Sequence, residues 1–180
     1  MSEFYNLVKM RQSCRNYDSE KAVENEKLEK VIKTALLSPS AVNSQPWHFT
    51  VVNSKDKSKE IAKAVQRAGL NKFTSSCPAF IIINEEKSNI LSKIGGKVVG
   101  QKYALTDIGI AAAHIILAAQ DIGLSTCIMG MFDEDEVKKI CDIHKNKRVR
   151  LIIAIGYAKN DEIRIKKRKL EDETVTYITD

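Results

Sequence analysis

The 180-residue chain has no run of about 18 uninterrupted apolar residues, and Met1 to Arg11 carries no apolar segment of the signal-peptide kind. No membrane partner is expected, and a cytoplasmic location is. Its four cysteines, Cys14, Cys77, Cys127 and Cys141, include no CxxC pair, and His48, His114 and His144 have no metal-ligand spacing with them or with one another. Reduced thiols and no bound metal follow, and nothing pairs a cysteine with a nearby base that would make it a nucleophile. Three catalytic signatures are missing as well. After Gly95-Gly96-Lys97-Val98-Val99-Gly100 come Gln101 and Lys102, where a P-loop needs Lys and then Ser or Thr. No strand leads into GxGxxG, which removes a Rossmann dinucleotide site, and no GxSxG elbow supports serine-hydrolase chemistry. His114 sits amid apolar helix residues and reads as a core or interface histidine rather than a catalytic one.

What is present suits one globular domain over residues 1–180, because 43% of residues are hydrophobic and 29% charged. The net charge of +6 permits an anionic ligand, nucleic acid or an acidic partner. The densest basic runs are Lys145 to Arg150 and Arg164 to Lys169. They lack interleaved aromatics and a nucleic-acid-binding motif, so nucleic acid is not the expected partner, although a small basic binding module stays open as a rival.

Periodicity predicts the elements. Ser2 caps a short helix carrying Phe4, Leu7 and Val8, followed by an extended polar run from Arg11 to Tyr17. Asn25 starts a second helix with Leu28, Val31, Ile32, Ala35 and Leu36 on one face, stopped by Pro39. His48 to Asn53 reads as a strand, and Ser54 caps a helix with Ile61, Ala62, Val65 and Ala68 on one side and Gly69 after it. Ala79 to Asn84 is a strand without alternation, as expected where both faces are buried. Gly95, Gly96 and Gly100 favour a loop or mobile flap over residues 85–100, after a short helix. Tyr103 to Ile122 is a helix apolar nearly all round, whose alanines would let another helix approach closely, as in a dimer. Strands follow at Ser125 to Met129 and Val149 to Tyr157, separated by a helix that starts at Asp133 and Glu136. The polar tail carries a weak final strand, Thr174 to Ile178, better suited to reaching a partner than to building a core. Helices and strands without regular βαβ alternation make an α+β fold.

Three segments combine chemistry. Arg11, Ser13 and Arg15 could wrap a phosphate with charge-assisted bonds. Ser38 to Phe49 is a small polar helix exit in which Asn43 and Gln45 supply donors and acceptors. Lys166 to Glu171 follows a Gly-Tyr strand end. With Gly123-Leu124-Ser125-Thr126-Cys127-Ile128-Met129-Gly130 after the alanine-rich helix, these motifs occur in an order that resembles the nitroreductase-like family of FMN-dependent oxidoreductases, over nearly the whole chain.

The resemblance implies a central mixed sheet flanked by helices, in an intertwined homodimer with FMN at the subunit interface and the tail reaching the partner. It implies that Arg11, Ser13 and Arg15 meet the FMN phosphate and ribityl region, with Gln12 near the ring and Lys166 and Arg168 closing on the phosphate. Pro39, Ser40 and Asn43 would contact the flavin from the partner subunit. Met129, Gly130 and Met131 would present backbone N–H groups to the reactive flavin nitrogen, and Asn71 is a further contact. NADH or NADPH would donate a hydride in a ping-pong cycle, and a small-molecule acceptor (nitroaromatic, quinone or activated alkene) would take the electrons, with no protein residue acting as acid or nucleophile. An FMN carrier or sensor without turnover is the alternative. Met131 stands where many relatives have a second glycine, and the segment at 85–100 is shorter than in many of them.

Overall fold

The chain's longest apolar strands become the two middle strands of a four-stranded sheet. In the computed structural model, which describes residues 2–87, 89–160 and 162–179, the strands are β1 (Trp47–Val52), β2 (Ala79–Glu85), β3 (Ser125–Met129) and β4 (Arg148–Gly156), in spatial order β1-β2-β4-β3. The helices are α1 (Glu3–Met10), α2 (Asn25–Leu36), α3 (Lys55–Ala64), α4 (Ile90–Val99), α5 (Tyr103–Asp121) and α6 (Glu134–Ile140). Phe80 and Ile82 of β2, with Ile152 and Ala154 of β4, pack against α3 and α6. Ile81 and Ile83, with Ile153 and Ile155, pack against α2 and α5. Both faces of β2 and β4 are therefore covered, which removes the usual polar alternation.

The α+β expectation is met, but the sheet is not mixed. Every named pair is antiparallel. β2 and β3 do run the same way, as a helical crossover produces, but β4 arrives afterwards and inserts between them, antiparallel to both. The isolated bridge Ser13–Thr126 supplies a parallel contact on the outer edge of β3.

Local signals hold at several helix starts. Ser2 Oγ accepts from Tyr5 N–H at 3.2 Å, Ser54 Oγ from Lys57 N–H at 3.3 Å, and Asp133 Oδ1 from Glu136 N–H at 3.1 Å. α2 is capped by the backbone position of Glu24, while Asn25 Oδ1 accepts from Asn53 Nδ2 at 2.9 Å. α3 ends at Ala64, short of Ala68 and Gly69, in two 3-10 turns at Arg67–Gly69 and Lys72–Ser76.

The loop or flap expected over 85–100 is largely helix α4, capped by Asn89 Oδ1 on Ser92 N–H at 2.8 Å; Ser88 lies outside the described residues. Its glycines serve packing. A Cβ on Gly96 would lie 2.6 Å from the Gln101 carbonyl oxygen, so the chain folds back here only over glycine, and Gly100 ends the helix at φ +67°. α5 is long and apolar enough to cross a membrane by length and composition, yet it packs on α2 and β3 as a core helix. The final strand expected at Thr174 to Ile178 is absent. Residues 171–175 form a turn closed by Val175 N–H on Glu171 O at 2.8 Å, and among the described residues the tail from 171 onward pairs with no strand.

Candidate functional site

The run from Arg11 to Tyr17 is held extended along the edge of β3. Cys14 N–H donates to Thr126 O at 2.8 Å and Asp18 N–H to Tyr157 O at 2.9 Å. Tyr17 is the anchor: it is buried, its hydroxyl donates to Ala154 O at 3.1 Å, and its ring stacks on Phe73. Cys14 and Tyr17 turn into the core, Arg11, Gln12 and Ser13 are half-buried, and Arg15 is exposed.

The tail returns over this segment and forms the facing wall. Gln12 Nε2 donates to Glu162 O at 2.6 Å, Arg164 N–H donates to Gln12 Oε1 at 3.1 Å, and the Arg164 guanidinium also donates to Ser13 O. Lys166 Nζ donates to Val8 O and Lys9 O, in the last turn of α1, where a cation is favoured by the helix dipole. Between the walls lies an open cavity of about 230 Å³ lined by Arg11, Gln12, Ser13, Arg15, Arg164, Lys166 and Arg168. Its five cations form no ion pair with any described carboxylate. Partial burial, with the charges of Arg11, Arg168 and Lys9, holds the Lys166 ammonium below the ordinary lysine range.

Arg164 was not among the expected site residues. It occupies the same period-two register as Lys166 and Arg168, which is the signal that would have found it.

The remaining expected residues fall into two further groups. Asn71, at φ 52°, donates from Nδ2 to Val65 O at 3.0 Å and to Met131 O at 3.3 Å, so it holds the loop after β3. Met129 is buried at the end of that strand, while Gly130 and Met131 are exposed. From Thr126, beside Ser13, to Met129 is about 10 Å at the rise of an extended strand, so the basic cavity and this loop lie along one edge. Pro39, Ser40 and Asn43 stand apart. Ser40 Oγ accepts from Gln45 N–H at 2.9 Å, and among the described residues no hydrogen bond joins Pro39, Ser40 or Asn43 to either group.

The other basic run is largely paired. In the run from Lys145 to Arg150, Lys147 pairs with Glu86, Arg148 with Glu134 and Arg150 with Glu85, which removes half the basis for a nucleic-acid surface. Burial raises the pKa of the Cys14, Cys77 and Cys127 thiols, that of Cys77 to about 12, so none is poised as a nucleophile. A larger hollow beside α3 has Ser19, Asn53 and Ser76 in its lining, whose side chains bond within the chain, and Ser58, whose buried Oγ has no partner among the described residues.

Residues 8–157 match the Nitroreductase family, a span that contains all the expected site residues except Lys166 and Arg168. An oxygen-insensitive NADPH nitroreductase of Helicobacter pylori is 27% identical, over 96% of this chain and 95% of its own. The crystal structure of a nitroreductase family protein from Clostridium novyi NT superposes with TM-score 0.75 at 31% identity, covering 88% of this chain and 87% of that one. An FMN-dependent nitroreductase from Clostridium difficile R20291 superposes with TM-score 0.76 at 26% identity, over 96% and 98%. On the span of the match and the shared fold, the chain belongs to the Nitroreductase family.

Proposed function

We propose that the protein is an FMN-dependent oxidoreductase that takes electrons from NADH or NADPH and delivers them to an organic acceptor, a nitroaromatic, quinone or activated alkene. The observation that carries this reading is the cavity of five cations without a described carboxylate partner. A phosphate dianion fits it, supplying the missing counter-charge and offsetting the burial and the neighbouring cations that together depress Lys166. When bound, the flavin supplies two-electron chemistry, taking a hydride from the nicotinamide and serving the acceptor in a separate half-reaction.

The chain's own residues bind and orient. Arg11, Arg15, Lys166 and Arg168 hold the phosphate, and Ser13 adds a hydroxyl. Gln12 and Arg164 clamp the two walls together. Asn71 fixes the loop whose Met129, Gly130 and Met131 N–H groups meet the ring nitrogen, and the exposed Met131 side chain narrows the acceptor's approach.

Pro39, Ser40 and Asn43 complete the site from a second copy. An intertwined homodimer is supported by the apolar groove of about 460 Å³ that includes Phe4, Leu7, Ile110 and Leu117, and by Ile165, which is 96% exposed on the tail. Light scattering of the holoprotein is expected to give twice the chain mass, and a holo-monomer would contradict the shared site.

The test of function is anaerobic mixing of the yellow protein with NADH or NADPH. Flavin absorbance is expected to bleach with at least one donor and return when the acceptor is added. A yellow protein that bleaches with neither is an FMN carrier or sensor.

Lys166 also sets a pH dependence. Its phosphate contact needs the ammonium form, which in the free protein is lost at lower pH than for an ordinary lysine. FMN affinity is therefore expected to hold through neutral pH and to fall on the alkaline side, before the ordinary lysine value of about 10.4. Lys166→Arg is expected to abolish that early fall in a fluorescence titration.

A further inference from the structure

Asp107 lies in the second turn of α5 and is only 4% exposed. Its Oδ1 accepts the Ala41 N–H at 3.2 Å, and its Oδ2 has no partner among the described residues. A carboxyl group withdrawn from water with one hydrogen bond is costly and calls for an explanation, one of which is neighbouring backbone held in an unfavourable shape. The backbone attached to Asp107 is of that kind. Val42, Asn43 and Gln45 have φ of 47°, 52° and 46°. Asparagine tolerates the left-handed region, but a β-branched valine there is an outlier that persists only where the surroundings impose it. The loop's side-chain bonds on its exposed side are Gln45 N–H to Ser40 Oγ at 2.9 Å, Gln45 Nε2 to Asn43 O and Oδ1 at 3.2 Å each, Asn89 N–H to Ser44 Oγ at 2.9 Å, and Asn89 Nδ2 to Val42 O at 3.2 Å. Asp107 supplies the tether from the buried side.

We propose that Asp107 is a positioning residue for the cofactor site: by holding Ala41 it fixes the strained 40–45 turn in the one conformation that presents Ser40 and Asn43 to the flavin of a second copy. This rests on the reading that the loop meets that flavin. It also ties the loop to α5, so that the site's cross-subunit wall moves with a core helix and not with the surface.

The test compares Asp107→Asn, Asp107→Ala and Ala41→Pro by FMN dissociation constant, visible flavin spectrum and melting temperature. Asparagine keeps an acceptor oxygen, so Asp107→Asn should stay within about threefold of the unaltered protein in FMN affinity. Asp107→Ala should weaken FMN binding roughly tenfold, the scale of one lost hydrogen bond, and should shift the flavin spectrum. Ala41→Pro removes the same bond from the other side, and the extended Ser40 backbone, φ −147° and ψ 154°, accepts a following proline. It should reproduce the tenfold loss and decides the matter if Asp107→Ala does not fold. A role confined to folding would lower the melting temperature and leave FMN affinity and spectrum unchanged, which overturns the proposal. Failure of the unaltered protein to bind FMN would instead overturn the proposed function.

Discussion

Alanine at both Arg15 and Arg168 is expected to give a folded protein that purifies without yellow colour and takes up added FMN weakly. Each guanidinium lost from a phosphate should cost roughly 1.5–3 kcal/mol, the range of a hydrogen bond to a charged group. Because both would act on the same dianion, the pair should fall short of full addition, leaving about 2–5 kcal/mol, or roughly one and a half to three and a half decades in Kd. The fold should survive, since both side chains are exposed and neither pairs with a described carboxylate; the Arg168 bond to Lys167 O is local. Flavin fluorescence titration measures the loss, and circular dichroism checks the fold. Wild-type affinity in the double variant would remove the phosphate assignment. Arg164→Ala separates binding from assembly, because Arg164 also joins the tail to Gln12 and Ser13 and should loosen both walls at once.

The second large effect lies in the core. Phe80 of β2 is fully buried on the side facing α3 and α6. Phe80→Ala is expected to lower stability by about 3–5 kcal/mol, from lost transfer energy and a cavity that two rigid strands cannot collapse around. Against a total of roughly 5–15 kcal/mol, that places the variant near the unfolding threshold. Denaturant unfolding should show a lowered midpoint with unchanged slope. A loss under about 1 kcal/mol would mean that this face of the sheet is not packed as described.

Features with local causes were legible in the sequence. Ser2, Ser54 and Asp133 cap their helices, and the unalternating strand at Ala79 is covered on both faces. The gathering of Arg11 and Arg15 with Lys166 and Arg168 was legible through resemblance, since no local rule brings segments 152 residues apart together. Most of what failed depended on distant groups. Gly95 and Gly96 are the exception: glycine disfavours a helix interior, and the reason for Gly96 is local, the backbone of Gln101 turning back on the end of α4. A strand at Thr174 would need an edge to pair with, and among the described residues the tail from 171 onward pairs with none. The mixed sheet failed because strand direction depends on where β4 inserts, which composition does not encode. Asp107 was passed over as one polar residue in an apolar helix, and its meaning came only with the strained turn at Val42.

The bonds from Lys166 to the end of α1, and from Arg164 to Gln12, join residues 8–12 to residues 164–166. On a ribosome adding about 5–20 residues per second, Arg15 waits on the order of ten seconds or more before Arg168 exists. Throughout that interval the cradle has Arg11 and Arg15 without Arg164, Lys166 and Arg168. Tight capture of the cofactor is thus expected to follow synthesis of the tail, and a product ending before Arg164 should keep the four-stranded sheet while holding FMN more weakly, with Arg11, Ser13 and Arg15 as its remaining phosphate contacts.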